Sequence, residues 1–382
     1  MAEISIIMPV YNSQDHLKET LDCILNQTFD DFELICVNDG SCDDSLDILN
    51  DYSLNDSRIR VFSQENEGQG SARNKGLEHC TGKYVYFMDS DDYIIPEFLE
   101  LVHDNIKNNN SEMVMFKTGN IESGIKIDNR PLFPFDEVFA DADFNDFTFD
   151  YHGVRKYVLN SSFAPWTKFY KKELLDRYGD FTFNEDLPYE DVLFHIKSMQ
   201  RASRISFIPK YLYYYRIDNP NSSSFNYESH IKIFNVIDEV EEFLKKEGYL
   251  NDFEKEFEFF KLRQITYHMI TPINEEHFKL AKKYLNGIDI NDNDLIPDYR
   301  KKEYQIFYDN DDAKTYEKEI NLYLLQREQD ELKEKNRKLE LENTRLKQEK
   351  SELESKKEEI LSSRSWKLTK VFRSAFNIFR RN

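Results

Sequence analysis

The sequence predicts an α/β fold with a Rossmann-like, mostly parallel central sheet flanked by helices. Over the first 117 residues, short apolar runs alternate with segments whose apolar residues recur at helical spacing. This alternation is typical of parallel strands joined by helical connections that cover both faces of the sheet. Polar residues follow several of the apolar runs, at the sheet edge where ligands bind in such folds.

The predicted elements follow one another closely. Strands are read from short apolar runs, and helices from spacings such as Leu17, Leu21 and Ile24. The strands are predicted at 4–10, 32–37, 59–62, 84–88 and 113–116, and the helices near 17–25, 46–52, 71–80 and 96–106. The predicted domains are an α/β domain at 1–225 (with halves at 1–117 and 118–225), a helical region at 226–321, a coiled coil at 322–360 and a basic amphipathic tail at 361–382.

Composition narrows the class of protein. The net charge of −21 argues against general nucleic-acid binding, because no overall positive field attracts phosphates. The start of the chain lacks the basic region of a signal peptide, and no apolar stretch approaches the ~20 residues of a membrane span. Four cysteines without CxxC spacing fit reduced thiols. We therefore expect a cytoplasmic protein.

The C-terminal part carries a heptad pattern. Polar residues such as Asn336 and Asn343 occupy a positions, and three of four g-to-e′ charge pairs are attractive, which favours a parallel homodimer. A solitary solvated helix is the alternative. The d positions are Leu325, Leu332, Leu339, Leu346, Leu353 and Ile360.

The tail at 361–382 differs from the rest of the chain, because it has six basic residues, no acid and interleaved aromatic residues. This pattern predicts attachment to an anionic membrane surface. Docking on the acidic body of the protein is the alternative.

An acidic cluster, Asp89-Ser90-Asp91-Asp92, directly follows the apolar run 84–88. Carboxylates at a strand end suit a divalent cation that also binds substrate phosphates. The alternative is a strand followed by an acidic helix start.

Two further strand-end features point to the same edge. Asp39 can accept a hydrogen bond from a nucleobase, or it can form an Asx turn with Gly40. The glycine-rich turn 66–70 lets the backbone approach a ligand, and Arg73 adds a positive charge after it.

Together these segments resemble the family 2 inverting glycosyltransferases with the GT-A fold, of the kind that builds bacterial or archaeal cell-surface glycans. The resemblance implies a glycosyltransferase domain at 1–225, with its nucleotide-binding half at 1–117 and its acceptor half at 118–225. The resemblance is carried by Ser-Ile-Ile-Met-Pro-Val-Tyr-Asn at 5–12, Val-Asn-Asp-Gly-Ser-Cys-Asp-Asp-Ser at 37–45, Asn-Glu-Gly-Gln-Gly-Ser-Ala-Arg-Asn-Lys-Gly at 66–76 and Phe-Met-Asp-Ser-Asp-Asp at 87–92. Asp89-Ser90-Asp91 then looks like the DxD motif of the family. The resemblance implies that Asp91 and Asp89 bind Mn²⁺ or Mg²⁺ on the donor diphosphate. The implied nucleotide-sugar residues are Pro9, Tyr11, Asn12, Asp39, Gly70, Arg73, Asp89 and Ser90.

An inverting transfer also needs a carboxylate base for the acceptor hydroxyl. Glu190-Asp191 is similar to the acidic pair found near this position in the family, which implies Asp191 as the base and Glu190 as its neighbour in acceptor binding. Two acids at a helix start are the ordinary alternative. His195 lies on the same helix face as Asp191, but a packed histidine is the favoured interpretation.

The segment 164–170 also resembles a recurrent family segment. Trp166 offers an apolar face suited to a sugar, and Lys168 can contact a phosphate or an acceptor hydroxyl. A core anchor is the alternative for Trp166.

The sequence therefore predicts an inverting, metal-dependent hexosyltransferase on the cytosolic face of the cell membrane. It would move a sugar from a nucleotide-sugar donor, with a UDP-sugar expected, to a glycan or lipid-linked acceptor. Two alternatives remain: a sugar-1-phosphate nucleotidyltransferase, and a non-catalytic coiled-coil membrane scaffold with a sugar-binding head.

Overall fold

The computed structural model describes residues 2–130, 138–139, 142–143, 146–218, 231–269 and 273–362. The chain forms two compact units, Met1–Tyr304 and Gln305–Asn382. The predicted basic tail lies outside the described residues, apart from its first two positions.

The first unit is built on one nine-stranded sheet. The five strands predicted from the sequence are all present, and their ends lie within six residues of the predicted ones. The strands are β1 Ile4–Val10, β2 Phe32–Asp39, β3 Ile59–Gln64, β4 Tyr84–Phe87, β5 Tyr93–Ile94, β6 Met113–Glu122, β7 Ile125–Arg130, β8 Lys168–Lys171 and β9 Ile205–Arg216.

The strand order is β3-β2-β1-β4-β8-β6-β9-β5, with β7 paired to β6. The strands β3, β2, β1 and β4 are parallel, as predicted. The prediction of a mostly parallel sheet is corrected beyond β4, because β8 enters between β4 and β6 and runs antiparallel to both. The sheet is therefore mixed. Antiparallel neighbours need no crossover helix, so the strand-helix alternation that indicated parallel pairing stops at this point.

Helices pack against the sheet of the first unit. Every residue of β1 and β2 is buried, as expected for strands with both faces covered. Helix α1 buries Leu17, Leu21 and Ile24, the residues whose spacing predicted it. The helices are α1 Leu17–Leu25, α2 Ser45–Asn55, α3 Gln69–His79, α4 Phe98–Asn108, α5 Arg155–Val158, α6 Lys172–Tyr178, α7 Asp191–Arg201, α8 Ile233–Lys246, α9 Glu254–His268 and α10 Glu275–Tyr284.

The boundary between the units falls within α11, Asp298–Asp309, and the second unit contains α12, Ala313–Ser362. Helix α12 is 50 residues long, and its heptad leucines from Leu325 to Leu353 are exposed. The helix predicted there is present, and its pairing with a second copy stays a prediction. None of the helices in the described part of the chain combines the length and the apolar character that crossing a membrane requires.

Candidate active site

Side-chain hydrogen bonds tie together the loops that follow β1 and β2. The N–H of Asn12 donates to Ser41 Oγ at 3.1 Å, and Asn12 Oδ1 accepts from the N–H of Cys42 at 2.8 Å. Asn12 has a φ of 47°, a conformation that asparagine tolerates better than most residues. Pro9 is buried in β1, whereas Tyr11 is 48% exposed. Tyr11 is therefore the one of these three predicted nucleotide-site residues that presents a large surface to solvent.

Both carboxylate oxygens of Asp39 bind the turn that precedes α3. Oδ1 accepts from the N–H of Glu67 and Oδ2 from the N–H of Gly68, each at 2.9 Å. The Gln64 side chain donates to Oδ1 at 2.9 Å, and Asp39 is buried. Asp39 therefore holds the glycine-rich turn in place. Its recognition of a nucleobase stays a prediction.

The four residues of the acidic cluster have different environments. Asp89 has a side chain that is 23% exposed, and Asp91 is also partly exposed. Ser90 is buried, with its Oγ 2.6 Å from Ser13 Oγ. Asp92 has no exposed surface. Asp89 and Asp91 are thus the members of the cluster that a ligand can reach without rearrangement.

Asp92 instead anchors the end of β9. Its Oδ1 accepts from the N–H of Arg216 at 2.7 Å, and its Oδ2 accepts from the Tyr213 hydroxyl. Burial raises the pKa of Asp92 well above its usual value, and the charges of Asp91 and Asp89 raise it further. Arg216 Nε also donates to the carbonyl oxygen of Asp91 at 2.8 Å. Sequence reasoning missed this network, because Tyr213 and Arg216 lie 121 and 124 residues after Asp92.

Arg73, in α3, connects the acidic cluster with the segment that leads into α7. One terminal nitrogen donates to Glu190 Oε1 at 2.6 Å. The other donates to Asp89 Oδ1 at 2.9 Å and to Gln69 Oε1 at 3.3 Å. The guanidinium is buried, 5.4 Å from the ring centroid of Phe183. Although burial acts to lower it, the carboxylates of Asp89 and Glu190 raise the pKa of Arg73, so the guanidinium stays charged.

Two other residues of α3 hold the same segment. A Cβ at Gly70 would lie 2.9 Å from the carbonyl oxygen of Asn184 and 3.0 Å from Glu190 Cγ, so glycine permits this close approach. The Asn74 side chain accepts from the N–H of Phe183 at 2.8 Å and donates to its carbonyl oxygen at 2.9 Å. Gly70 therefore has a packing role that the prediction of a ligand-binding turn did not include.

Asp191 is the first residue of α7, and the residue as a whole is partly exposed. Burial raises the pKa of Asp191 to about 7, and Glu190 acts in the same direction, whereas Arg73 and Lys168 oppose the shift. Tyr189, two residues earlier, has a φ of 62°, a strained conformation of the kind found at functional sites. Asp191 therefore changes charge near neutral pH, as a general base requires.

Lys168 lies in the interior behind Asp191. Its side chain has no exposed surface, and Nζ donates to Ser162 O at 3.3 Å, Ala164 O at 3.1 Å and Thr167 Oγ1 at 2.6 Å. Burial lowers the pKa of Lys168 to about 7, and the charge of Asp191 opposes this. The predicted contact with an acceptor would need exposure that Lys168 lacks in this structure. The positive charge of Lys168 instead lowers the pKa of Asp191.

Two aromatic residues singled out in the sequence are core residues. Trp166 is 4% exposed and stacks on Tyr213 and Tyr215, with centroids 4.5 and 5.6 Å away. It takes the core-anchor role that was the alternative to acceptor binding. His195 is fully buried, its Nε2 lies 3.0 Å from the carbonyl oxygen of Val158, and burial lowers its pKa well below the usual value. It is the packed histidine favoured by the sequence.

Asp89 and Asp91 are the residues that could hold a divalent cation. Across the described ranges, no group of three or more His, Cys, Asp or Glu side chains is arranged to hold a metal. A cation here would take at most two carboxylates from the protein and the remaining ligands from substrate and water. That donor set fits Mg²⁺ or Mn²⁺ on a diphosphate, because Mg²⁺ commonly binds through one or two carboxylates plus phosphate oxygens. Arg73 occupies one oxygen of Asp89 in this structure.

Several known proteins are similar to this chain in sequence or in fold. Residues 5–179 match the family described as Glycosyl transferase family 2. The uncharacterized glycosyltransferase EpsJ of Bacillus subtilis is 33% identical over 220 residues, which are 57% of this chain and 62% of EpsJ. The poly(ribitol-phosphate) beta-glucosyltransferase of Bacillus spizizenii is 35% identical over 220 residues, 56% of this chain and 32% of that protein.

Among solved structures, residues 1–349 of S. aureus TarS, crystallised in complex with UDP-GlcNAc, are similar in fold. The TM-score is 0.52 at 24% identity, covering 80% of this chain and 92% of that one. The protein has a GT-A-like α/β fold, with a mixed sheet and flanking helices. Over residues 5–179, the chain carries a family 2 glycosyltransferase domain, as the sequence motifs predicted. It spans about three fifths of the length of its first curated relatives.

Proposed function

We propose that this chain is an inverting hexosyltransferase that moves a sugar from a UDP-sugar to a glycan or lipid-linked acceptor in cell-surface polysaccharide synthesis. The observation that carries the proposal is the contact of Arg73 with both Asp89 and Glu190. This contact supports a single site in which a strand-end acid suited to a donor lies near an acidic pair suited to acceptor activation.

Asp191 is the proposed base. As the acceptor oxygen attacks the anomeric carbon, its proton passes to Asp191 and the bond from that carbon to the diphosphate breaks. The raised pKa of about 7 supports this role, because a base works best when its pKa lies near the working pH. Glu190, held by Arg73, is proposed to bind or orient the acceptor.

Mn²⁺ or Mg²⁺ is the proposed cofactor, with Asp91 and Asp89 as its protein ligands. When bound, the cation would stabilise charge on the departing nucleoside diphosphate, in place of a general acid. The remaining proposed donor contacts come from the strand ends and the start of α3. They are Pro9, Tyr11, Asn12, Asp39, Gly70, Arg73 and Ser90.

The names of two similar proteins support the choice of donor and product. One is a beta-glucosyltransferase of poly(ribitol-phosphate), and the other was crystallised with UDP-GlcNAc. A UDP-hexose donor and a polymeric acceptor are therefore the first candidates to test for this chain.

Helix α12 is proposed to pair in parallel with its counterpart in a second copy. Its d-position leucines Leu325, Leu332 and Leu339 are 57%, 53% and 47% exposed, which leaves an apolar stripe that a partner helix would cover. The attractive g-to-e′ pair Glu328–Lys333 favours the parallel arrangement. Residues 361–382 are further proposed to attach the enzyme to the cytosolic membrane face, on the basis of their sequence alone.

The two rival functions have less support. A nucleotidyltransferase would carry basic residues for a triphosphate in its first strand-end loop, and residues 8–14 contain none. An inert scaffold would not require a partly accessible carboxylate with a raised pKa at the start of α7. Neither rival explains the Arg73 contacts.

The test is a ligand screen on the full chain. UDP-glucose, UDP-GlcNAc, UDP-galactose and GDP-mannose are added with and without MnCl₂, and the thermal unfolding midpoint is followed. One UDP-sugar should raise the midpoint only with Mn²⁺, and Asp91→Ala should remove that rise while Asp104→Ala, at an exposed site in α4, keeps it. A rise that survives in Asp91→Ala would overturn the metal assignment. Release of pyrophosphate from UTP and a sugar 1-phosphate would favour the nucleotidyltransferase.

A further inference from the structure

We propose that Arg73 is a positioning residue that couples the donor half of the site to the acceptor half, which rests on the function proposed above. The two carboxylates that it binds belong to different segments. Asp89 follows β4, and Glu190 immediately precedes Asp191 at the start of α7. One planar guanidinium contacts both, at 2.9 and 2.6 Å, and so fixes their spacing. A lysine ammonium also has three donors, but it sits on a flexible stem and lacks the planar fork, so it would not fix this spacing in the same way.

The surroundings of Arg73 are built for this contact. The side chain is 3% exposed, and the ring of Phe183 lies on one side of the guanidinium. Gly70, one turn earlier on α3, leaves the space that Glu190 needs. The buried Nε of Arg73 has no hydrogen-bond partner among the described residues. The guanidinium therefore lies where its terminal nitrogens reach the two carboxylates, even though its Nε makes no hydrogen bond to a described residue there.

Because Asp89 and Glu190 share the Arg73 guanidinium, a change in the charge or binding of one carboxylate affects the other. If Glu190 loses its charge, Arg73 binds Asp89 alone and more strongly, and Asp89 then competes less well for a metal cation. If Asp89 instead binds the metal cation, Arg73 pairs with Glu190 alone. This linkage is reciprocal, as any coupling between two binding events must be. The charged groups that act on Asp191, next to this pair, include Glu190, Arg73 and Lys168.

The test is a double-mutant cycle read by donor affinity. UDP with MnCl₂ is the probe, and its dissociation constant is measured by titration calorimetry for the unaltered chain, Glu190→Gln, Arg73→Lys and the double variant. Glu190→Gln should weaken binding about fivefold, although Glu190 is not proposed to touch the nucleotide. In the Arg73→Lys background the same change should have an effect below about twofold. Equal factors in both backgrounds would overturn the proposal.

A matched control and a second measurement keep the outcome clear. Lys75→Gln removes a cation two residues away on α3 whose Nζ donates to Ser63 O at 2.8 Å, and it should leave the affinity unchanged. If UDP and Mn²⁺ fail to bind the unaltered chain, the proposed donor is wrong. The coupling is then decided by urea unfolding without ligand. Arg73→Lys should be non-additive with both Glu190→Gln and Asp89→Asn, and additivity with either one would refute the shared contact.

Discussion

The guanidinium of Arg73 donates to the carboxylate of Glu190 at 2.6 Å, although 117 residues separate them in the sequence. The two side chains are only 3% and 7% exposed. Removing one member of a buried ion pair leaves the other charge uncompensated, at a cost of about 3–5 kcal/mol. The start of α7, and with it Asp191, is therefore held by a tertiary contact rather than by the helix itself.

Asp191→Asn should lower the rate of sugar transfer by about 10²- to 10⁴-fold, the usual contribution of a general base. Its affinity for the UDP-sugar identified in the ligand screen should stay within about threefold, because this carboxylate is not among the proposed donor contacts. Asp186→Asn, an exposed acid in the same segment, should leave both quantities unchanged. Near-normal turnover by Asp191→Asn would place the base elsewhere.

Transfer should increase with pH through about 7, because burial raises the pKa of Asp191 to about 7 and only the ionised form accepts a proton. The residual transfer rate of Asp191→Asn should not increase with pH in this range. A rate that is flat between pH 5.5 and 8.5 would contradict the assignment.

The same shift predicts a pH dependence of stability. The pKa of Asp191 is higher in the folded state than its ordinary value of 3.8, so protonation favours folding and stability falls as pH rises from about 4 to 7. Asp191→Asn removes this penalty. Its unfolding midpoint should exceed that of the unaltered chain by on the order of 2 °C at pH 8, and by less at pH 5. Lys168 titrates in the same range and the charge of Asp191 raises its pKa, so the difference between the two proteins reports on Asp191 together with its effect on Lys168.

Asp92→Ala should destabilise the protein by about 2–4 kcal/mol, since it leaves the buried N–H of Arg216 and the Tyr213 hydroxyl without their acceptor. Asp92→Asn retains an acceptor oxygen and should cost less. Asp15→Ala, at an exposed position in the loop before α1, should change the free energy of unfolding by under about 0.5 kcal/mol. Urea unfolding measures all three, and equal effects of Asp92→Ala and Asp15→Ala would exclude an anchoring role.

Gly70→Ala should reduce transfer by about tenfold or more, because the new Cβ would lie 2.9 Å from Asn184 O and 3.0 Å from Glu190 Cγ. The acidic pair would have to move away from Arg73. Gly153→Ala is the control, since its Cβ would have no neighbour closer than 3.6 Å. Loss of activity in both variants would indicate a general effect on folding, which the unfolding midpoint would reveal.

Leu339→Asp in α12 should convert a dimer to a monomer, with a dissociation constant raised by on the order of 100-fold or more, because it places a charge in the apolar seam. Leu341→Asp is a matched control. Leu341 is 59% exposed and Leu339 47%, but Leu341 lies on the outer face of the heptad, so its variant should stay dimeric. Sedimentation equilibrium distinguishes the two. A monomeric unaltered chain would refute the pairing.

Local patterns in the first 117 residues were sufficient to predict the parallel part of the sheet. The run Ile4–Val10 and the helix Leu17–Leu25 have the predicted bounds, because hydrophobic periodicity directly reflects which faces are buried. The strand β8, Lys168–Lys171, was not predicted, since four residues in an aromatic region carry no period that distinguishes a strand. Its antiparallel insertion beside β4, together with the antiparallel pairs β5–β9 and β6–β7, makes the sheet mixed.

The candidate site likewise has features that the sequence predicts and features that only the tertiary structure shows. The sequence by itself determined which residue types are present: an acidic strand end, a glycine-rich turn with Arg73, the Glu190–Asp191 pair and the leucine heptads. Only the tertiary structure decided their roles. It placed Asp92, Trp166 and Lys168 in the interior and Asp89 and Asp91 at partly accessible positions, and it joined Asp89 to Glu190 through Arg73. The physical reason is that burial and ion pairing depend on neighbours more than 100 residues away in the chain, and no local pattern records those neighbours.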